Sequence, residues 1–403
     1  MKTTKIALMA GVAAGLLASA PSWAGAKLKI DDDSYIDLGF RVQTMVMQRE
    51  VAREGDTSWD DDTDFRVRRA RLRAALTVNQ YVNAFIQTES ADDAGGSGAD
   101  MRVIDSWVNL KYNNWLQLQT GQTMAPSSRQ TTTSSGAMMT IDRPGINTKN
   151  LTWGTRSLYQ FGTATLSGTG AGLTGDNAVR DVGAVLWGTG SFSDTMHLKY
   201  YAGVFDGVQN RNNEGARDDD NNLRYTGRVQ FNMFDAEPGY YNLSTYLGKK
   251  KTLGFGASYD MQDEVTPNTV GGGFADYEFW SVDAFMDWPL GPGYLTAEAA
   301  YSDLDLDRAD EAAAAAQGDG WYVQAGYYIN KWQPWVEYEE WDGDAFSGDF
   351  GDYTQYRVGI SYFFKGHNAN VKLGYEYTDL DEDFSGTDEN DTSTFVLGFY
   401  TTY

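Results

Sequence analysis

Apolar and polar residues alternate with a period of two along most of the chain, from residue 34 to the last residue. In the first alternating segment Ile36, Leu38 and Phe40 fall on one face, whereas Asp37 and Arg41 fall on the other. Such alternation predicts β-strands with one apolar and one polar face. The pattern recurs in about sixteen segments, at residues 34–48, 64–78, 80–90, 101–112, 115–122, 181–190, 196–206, 222–234, 251–261, 277–289, 292–303, 319–331, 333–341, 353–364, 367–379 and 393–403.

The lengths of these segments and of their connections fit a membrane barrel. Most segments have about 9 to 13 residues, which is the length that a tilted strand needs to cross a bilayer. Short connections alternate with long ones, and residues 235–250 are the one long connection where a short one is expected. Outer-membrane barrels have short periplasmic turns and long extracellular loops. We therefore predict an all-β fold, a transmembrane antiparallel β-barrel of about 16 strands.

A soluble β-sandwich or propeller is the alternative to a membrane barrel. A soluble fold would have to bury one apolar face on every segment, but no second layer and no blade-length repeat is visible. Tryptophans also concentrate near the predicted strand ends, as they do at membrane interfaces. These are Trp115, Trp280, Trp288, Trp321, Trp332 and Trp335.

Composition narrows the function further. The chain has 403 residues, with 32 Lys+Arg against 56 Asp+Glu, a net charge of −24. This balance excludes nucleic-acid binding through general positive charge. The absence of cysteine excludes disulfides, thiolate metal sites and cysteine nucleophiles. A mean hydropathy of −0.48 is typical of soluble proteins, but a barrel with half-apolar strands and polar loops has similar values.

The N-terminus has the features of an export signal. Lys2 and Lys5 precede an apolar run at residues 6–17, and a small-residue cleavage site ends at Ala24. We predict a signal peptide at residues 1–24 and a barrel domain at residues 25–403; an uncleaved N-terminal anchor is the alternative. After residue 24 no stretch reaches the roughly 20 apolar residues of a membrane helix. Export and a barrel together predict the outer membrane of a Gram-negative bacterium.

Arginines repeat on one face of the second predicted strand. Arg69, Arg71 and Arg73 alternate with apolar residues, so the alternation places them about 6.8 Å apart on the polar face, which would line the lumen. A charge that faced lipid at mid-bilayer would cost about 2 to 4 kcal/mol. Phe65 and Val67 break the alternation, which predicts a β-bulge near residue 68.

Such a row of guanidinium groups suits anions, because each group stays charged and offers a planar fork of donors to phosphate or carboxylate. Two interpretations remain open: an anion pathway, or a basic wall that balances inward-facing acids in a weakly selective pore. The same alternation turns further basic residues inward: Arg41, Lys199, Arg224, Arg228, Arg357 and Lys372. The acids that it turns inward are Glu89, Asp105, Asp283, Asp287, Glu298, Glu337 and Glu339.

The longest connection, at residues 123–180, follows the fifth predicted strand. Loops of more than about 15 residues are commonly functional. We expect this third loop to fold inward and to bring Arg129 and Arg143 to a constriction; a loop lying on the surface is the alternative. Acidic runs in the other long loops are expected to be solvated, and divalent cations could bridge them to lipopolysaccharide. No calcium-binding spacing occurs, so we predict no metal site.

Two further features concern partners and chemistry. The last strand ends in an aromatic residue, Tyr403, and resembles the C-terminal signal that the barrel-assembly machinery recognises. The only histidines are His197 and His367, and nothing indicates a serine, histidine and acid brought together for catalysis. We therefore predict neither enzymatic activity nor a cofactor.

Short motifs occur at residues 64–76, 87–89, 105–110, 118–122, 142–144, 180–183 and 201–207. Together they resemble the phosphate-selective porin O/P family over roughly residues 34–235. The resemblance implies a sixteen-stranded homotrimeric porin with an inward third loop and a row of arginines that guides phosphate, with Arg69, Arg71 and Arg73 matching the arginine motif. A lysine-rich constriction is not identifiable beside these arginines. The hypotheses are a porin for small hydrophilic solutes that favours anions such as phosphate, a weakly selective general-diffusion porin, and an exported soluble β-rich binding protein.

Overall fold

Seventeen strands form in the described residues, and all neighbouring strands pair antiparallel. The computed structural model describes residues 26–52, 59–90, 101–144, 180–207, 222–267, 274–305, 318–343, 353–380 and 391–403. The predicted signal peptide therefore lies outside the described residues. The strands are β1 Ala26–Lys29, β2 Tyr35–Ala52, β3 Trp59–Thr77, β4 Val82–Ser90, β5 Arg102–Asn113, β6 Leu116–Met124, β7 Arg180–Ser193, β8 Met196–Phe205, β9 Arg224–Phe234, β10 Thr252–Pro267, β11 Phe274–Leu290, β12 Gly293–Asp305, β13 Gly318–Tyr328, β14 Trp332–Gly343, β15 Tyr353–His367, β16 Ala369–Leu380 and β17 Asp391–Thr402.

The strands β2 to β17 close into one barrel, since each pairs with its sequence neighbour and β17 pairs with β2. At the seam the Phe40 amide donates to Tyr403 O at 2.7 Å and the Tyr403 amide donates to Phe40 O at 2.8 Å. The predicted sixteen-stranded barrel is confirmed. The short strand β1 was not predicted; it pairs with the first residues of β2. No helix in the described part of the chain is long and apolar enough to span a membrane.

The barrel carries its apolar residues outside and its polar residues inside. On β9, Arg224 and Arg228 are buried, whereas Tyr225 and Val229 are each 52% exposed. The same alternation runs through the other strands, so most fully buried residues are polar or charged. This distribution is the reverse of a soluble fold, and it matches strands that face lipid on one side and a polar lumen on the other.

The predicted bulge at residue 68 is confirmed. Pairing between β2 and β3 shifts by one residue there, because Gln43 opposes Arg69 and Thr44 opposes Val67. The extra residue, Arg68, leaves its side chain buried on the lumenal side together with Arg69. The bulge therefore lets consecutive arginines reach the same side of one strand, which regular alternation forbids.

Candidate functional site

Three polar residues of the neighbouring strands β2 and β3 converge on Ser135, which follows β6. Arg41 Nη1 donates to Ser135 Oγ at 2.6 Å, and Arg71 Nη1 donates to the same oxygen at 3.1 Å. Gln43 Nε2 donates to Ser135 O at 2.9 Å, and Arg69 Nη1 donates to Gln43 Oε1 at 2.7 Å. Arg41 and Arg71 oppose each other directly in the sheet, a placement of like charges that costs stability. The two guanidinium groups therefore share one hydroxyl.

Acidic side chains neutralise only part of the positive charge of these arginines. Glu89 accepts from Arg71 Nε at 2.7 Å. Asp142 accepts from Arg69 Nη2 at 2.9 Å and from Arg68 Nε at 2.6 Å. We call these six residues, Arg41, Arg68, Arg69, Arg71, Glu89 and Asp142, the basic cluster; it holds four cations and two acids, a net charge of +2.

Buried donors in the basic cluster remain without an acceptor. The Nε groups of Arg41 and Arg69 are buried and have no hydrogen-bond partner among the described residues. Arg41 also forms no ion pair with an acid in the described ranges. Burial alone would raise the pKa of Asp142, but Arg68 and Arg69 hold it well below the usual range. The cluster therefore combines surplus positive charge with unused N–H donors.

Arg73 lies next to the basic cluster on β3 but makes no hydrogen bond with it in the described residues. It is half-buried, opposes Gly39 in the sheet, and takes part in no ion pair within the described residues. A Cβ atom at Gly39 would lie 2.4 Å from Arg73 Nε, so glycine makes room for the guanidinium there.

The other basic residues predicted on the strands are held more tightly by protein groups. Arg224 binds Asp260 through two hydrogen bonds of 2.8 and 2.5 Å. Arg228 binds Asp283 in the same way at 2.6 and 3.0 Å. Arg357 pairs with Glu337 and Glu376. Lys199 Nζ donates to Gly239 O at 3.0 Å and to Asn242 Oδ1 at 2.6 Å. The ion pairs of the three arginines match the charge-balance interpretation, whereas the contacts of Lys199 are with neutral oxygens.

The two arginines predicted on the third loop make different contacts. Arg129 donates to Glu237 at 3.1 and 2.9 Å, and its Nε lies 3.4 Å from Glu298. Arg143 donates to backbone carbonyls of its own segment, Gln130 O at 3.1 Å and Thr133 O at 2.5 Å.

The described part of the third loop, residues 125–144, is almost entirely buried against lumenal side chains. Lys372 Nζ donates to the carbonyls of Met138 and Thr140 at 2.6 Å each. Ser361 Oγ donates to Met139 O at 3.1 Å. Apolar residues of this segment and of the barrel wall form one cluster with Met139: Met45, Met47, Ile141, Trp335, Val396 and Tyr400. Residues 145–179 lie outside the described part of the chain.

Sequence reasoning missed two residues that organise these contacts, Ser135 and Glu237. Both lie outside the strands, where no alternation indicates which way a side chain points. Asp142 did carry a signal, because it opens one of the motifs shared with the porin family.

Within the described ranges, no three histidine or acidic residues come together as a metal site requires.

A closed barrel with an apolar exterior and a charged interior defines the class of protein as an outer-membrane channel. Comparison with known sequences then identifies the family: the chain belongs to the phosphate-selective porin O and P family, whose profile matches residues 38–403. The match extends well beyond the residues 34–235 that carried the resemblance. The protein is therefore a porin of the Gram-negative outer membrane. Family and fold indicate a channel rather than an enzyme.

Similar proteins support the fold over nearly the whole chain. An anion-selective porin from Comamonas acidovorans has 14% sequence identity and a TM-score of 0.55, with 92% of this chain and 100% of that chain covered. The outer membrane channel DcaP of Acinetobacter baumannii has 14% identity and a TM-score of 0.51, with 93% and 99% covered. An uncharacterized protein of Aquifex aeolicus (strain VF5) is 21% identical over 401 residues, covering 91% of this chain and 87% of the relative.

Proposed function

We propose that this porin favours small anions such as phosphate, and that Arg41, Arg69 and Arg71 line the anion path. The observation that carries the proposal is the net charge of +2 in the basic cluster, together with the buried Nε donors of Arg41 and Arg69 that have no acceptor in the described residues. Charge-assisted hydrogen bonds from guanidinium to phosphate oxygens are short and strong. An anion entering the cluster would accept these bonds and offset the like-charge repulsion.

The weakly selective general-diffusion porin remains the second candidate. It is favoured by the ion pairs of Arg224, Arg228 and Arg357, which leave those side chains little charge for a passing solute. In our proposal these arginines balance acids on strands close to their own, and anion preference comes from the β2–β3 side. We also propose that residues 125–144 narrow the pore, which their contacts with β3, β15 and β16 support.

Arg41→Gln is the cleanest test of the anion path, because the change removes the ion-pair partner of no acid in the described residues. In planar bilayers, we expect phosphate to block the chloride current of the variant about tenfold more weakly, since a hydrogen bond to a charged group contributes about 1.5 to 3 kcal/mol. Lys331→Gln, at an exposed turn, makes the same change in net charge outside the lumen and is the matched control. Equal phosphate block in both variants would favour the general-diffusion porin.

We propose a homotrimer whose subunits contact one another through β4 to β6. Outward aromatic rings contact each other along the other side of the barrel, for example Trp280 with Tyr301 at 5.3 Å and Trp321 with Tyr338 at 4.9 Å between centroids. Such rings suit a lipid interface. The outward residues of β4 to β6 are instead mostly small or polar over their half next to the third loop, with Val103 as the apolar exception. The small or polar ones are Thr88, Ser90, Ser106, Thr120 and Gln122. A second copy of the chain would cover them better than lipid would.

Thr120→Trp is expected to convert the trimer into monomers on semi-native gels, because an indole ring cannot fit a closely packed interface. Ala299→Trp places the same ring among the outward residues of β12 and should leave the trimer intact. Trimers of equal stability for both variants would contradict an interface at β4 to β6.

The remaining partners follow from the same function. We propose that residues 1–24 are cleaved on export to leave the barrel domain, residues 25–403. We also propose that the barrel-assembly machinery recognises Tyr403 at the seam and that the long loops contact lipopolysaccharide.

His197 has no catalytic role in this proposal. Ser191 Oγ lies 2.7 Å from its Nδ1, but its Nε2 lies 2.6 Å from the Phe234 carbonyl and not from an acid.

A further inference from the structure

The connection between β9 and β10 is longer than is needed to link these two strands. Phe234 already pairs with Thr252, the Asp235 amide donates to Lys251 O at 2.9 Å, and the Lys251 amide donates to Asp235 Oδ2 at 2.6 Å. A two-residue turn can connect strands whose ends are paired in this way. Residues 236–250 are therefore not needed to join the strands. We call them the lumenal segment.

The lumenal segment spans the barrel from one wall to the other. At its start, Tyr240 O accepts from Tyr201 OH of β8 at 2.6 Å. Further on, Thr245 O lies 2.9 Å from His367 Nε2 at the end of β15. The strands β8 and β15 are seven positions apart in a closed ring of sixteen, so the two contacts lie on nearly opposite walls. A chain that joins opposite walls must cross the lumen.

The lumenal segment also pairs with the third loop. The Asn242 amide donates to Thr132 O at 2.7 Å, and the Ser134 amide donates to Asn242 O at 3.0 Å. A third bond runs from the Ser244 amide to Ala137 O at 3.1 Å. The two segments thus form one hydrogen-bonded layer, although they enter the barrel from opposite ends.

Glu237 connects the two segments of this layer. The residue is 3% exposed, and its carboxylate accepts from Arg129 of the third loop at 2.9 and 3.1 Å. It also accepts from Gln230, Asn232 and Tyr246, at 2.7, 2.9 and 2.5 Å. Burial would raise the pKa of Glu237, but Arg129 and the hydrogen bonds lower it to about 2. The Arg129–Glu237 pair is therefore charged at neutral pH.

We propose that the lumenal segment is a second constriction element, which enters from the end of the barrel that holds the short turns and the C-terminus, and that Glu237 is the residue that positions it. The inference rests on the porin function. In a pore crossed by two segments, conductance depends on both, and removal of either widens the lumen. The segment limits the size of the solute that passes, whereas the basic cluster on β2 and β3 sets the sign of its charge.

The first test replaces residues 236–250 by Asn-Gly, the dipeptide that best fits a tight hairpin turn. We expect a barrel with normal heat-modifiable mobility, a single-channel conductance at least twofold higher, and passage of larger neutral sugars in liposome-swelling assays. An assembled barrel with unchanged conductance and unchanged sugar exclusion would overturn the proposal.

A second test covers the case in which the shortened chain does not assemble. Glu237→Gln should raise conductance and add open-channel fluctuations, because it leaves Arg129 without its main partner. Asp260→Asn is the matched control: it also removes the main acidic partner of a buried arginine, Arg224, but on a strand rather than on the lumenal segment. Identical conductance traces for the two variants would refute a positioning role for Glu237.

The two proposals fail separately. If the arginine variants leave anion preference unchanged while the shortened chain conducts more, the anion path is wrong and the constriction stands. If the reverse is observed, the lumenal segment is only a structural support.

Discussion

Replacing Arg69, Arg71 and Arg73 together by alanine is expected to lower the anion-to-cation permeability ratio about tenfold. A charge about 7 Å from a passing ion contributes about 0.6 kcal/mol in a water-like dielectric, so three contribute about 2 kcal/mol before screening. The substitution also leaves Glu89 and Asp142 with fewer partners, which moves the basic cluster toward cation preference. Reversal potentials under a salt gradient measure the ratio directly.

The charge of groups that line the lumen should determine ion selectivity more strongly than the net charge of −24 of the whole chain. At physiological salt the Debye length is about 8 Å, so acidic groups in the outer loops are largely screened from an ion inside the lumen. Groups that line the lumen act within that distance. Net charge would mainly slow the approach of anions at low salt.

Exposed lysines provide the control for this triple variant. Changing Lys27, Lys29 and Lys331 to alanine removes the same three charges from exposed positions at the opposite end of the barrel from the long loops. We expect an unchanged permeability ratio for this control. If the arginine variant behaves like it, with the barrel assembled, the arginines serve structural charge balance and the porin is weakly selective.

Asp142→Asn is expected to act in the opposite direction and raise the permeability ratio about threefold, since one negative charge leaves the cluster. It should also lower the temperature at which the barrel unfolds on gels. Asp142 joins the third loop to Arg68 and Arg69 on β3, and breaking a buried ion pair from one side typically costs about 3 to 5 kcal/mol.

Asp64→Asn separates these effects from a simple loss of charge. Asp64 of β3 also pairs with an arginine, Arg49 of β2, but at 3.4 Å and with its side chain 38% exposed. Exposed pairs contribute about 0 to 1 kcal/mol, so this control should change neither selectivity nor unfolding temperature appreciably. A fall in the anion ratio of the Asp142 variant would contradict the assignment of this cluster to the anion path.

The amino-acid sequence by itself determined the barrel. Each strand has lipid on one side and a polar lumen on the other, and this imposes an alternation of apolar and polar residues that is visible in one sequence. The sixteen segments and the bulge at Arg68 followed from that period, and the closure of the ring followed from export to a membrane without a membrane helix. For the same reason the lumenal direction of Arg41, Arg224 and Arg228 could be predicted, and these side chains are buried.

Only the tertiary structure decided what those side chains contact. Arg41 meets Ser135 across 94 residues of sequence, and Arg129 meets Glu237 across 108. Neither partner lies on a strand, and connections have no period that fixes the direction of a side chain. The sequence showed that the β9–β10 connection is longer than the other connections at its end of the barrel. Its path across the lumen, however, depends on hydrogen bonds with side chains that are far apart in the sequence, such as Tyr201 and His367. Alternation specifies which face a residue occupies, whereas the packing of loops inside the barrel specifies its partner.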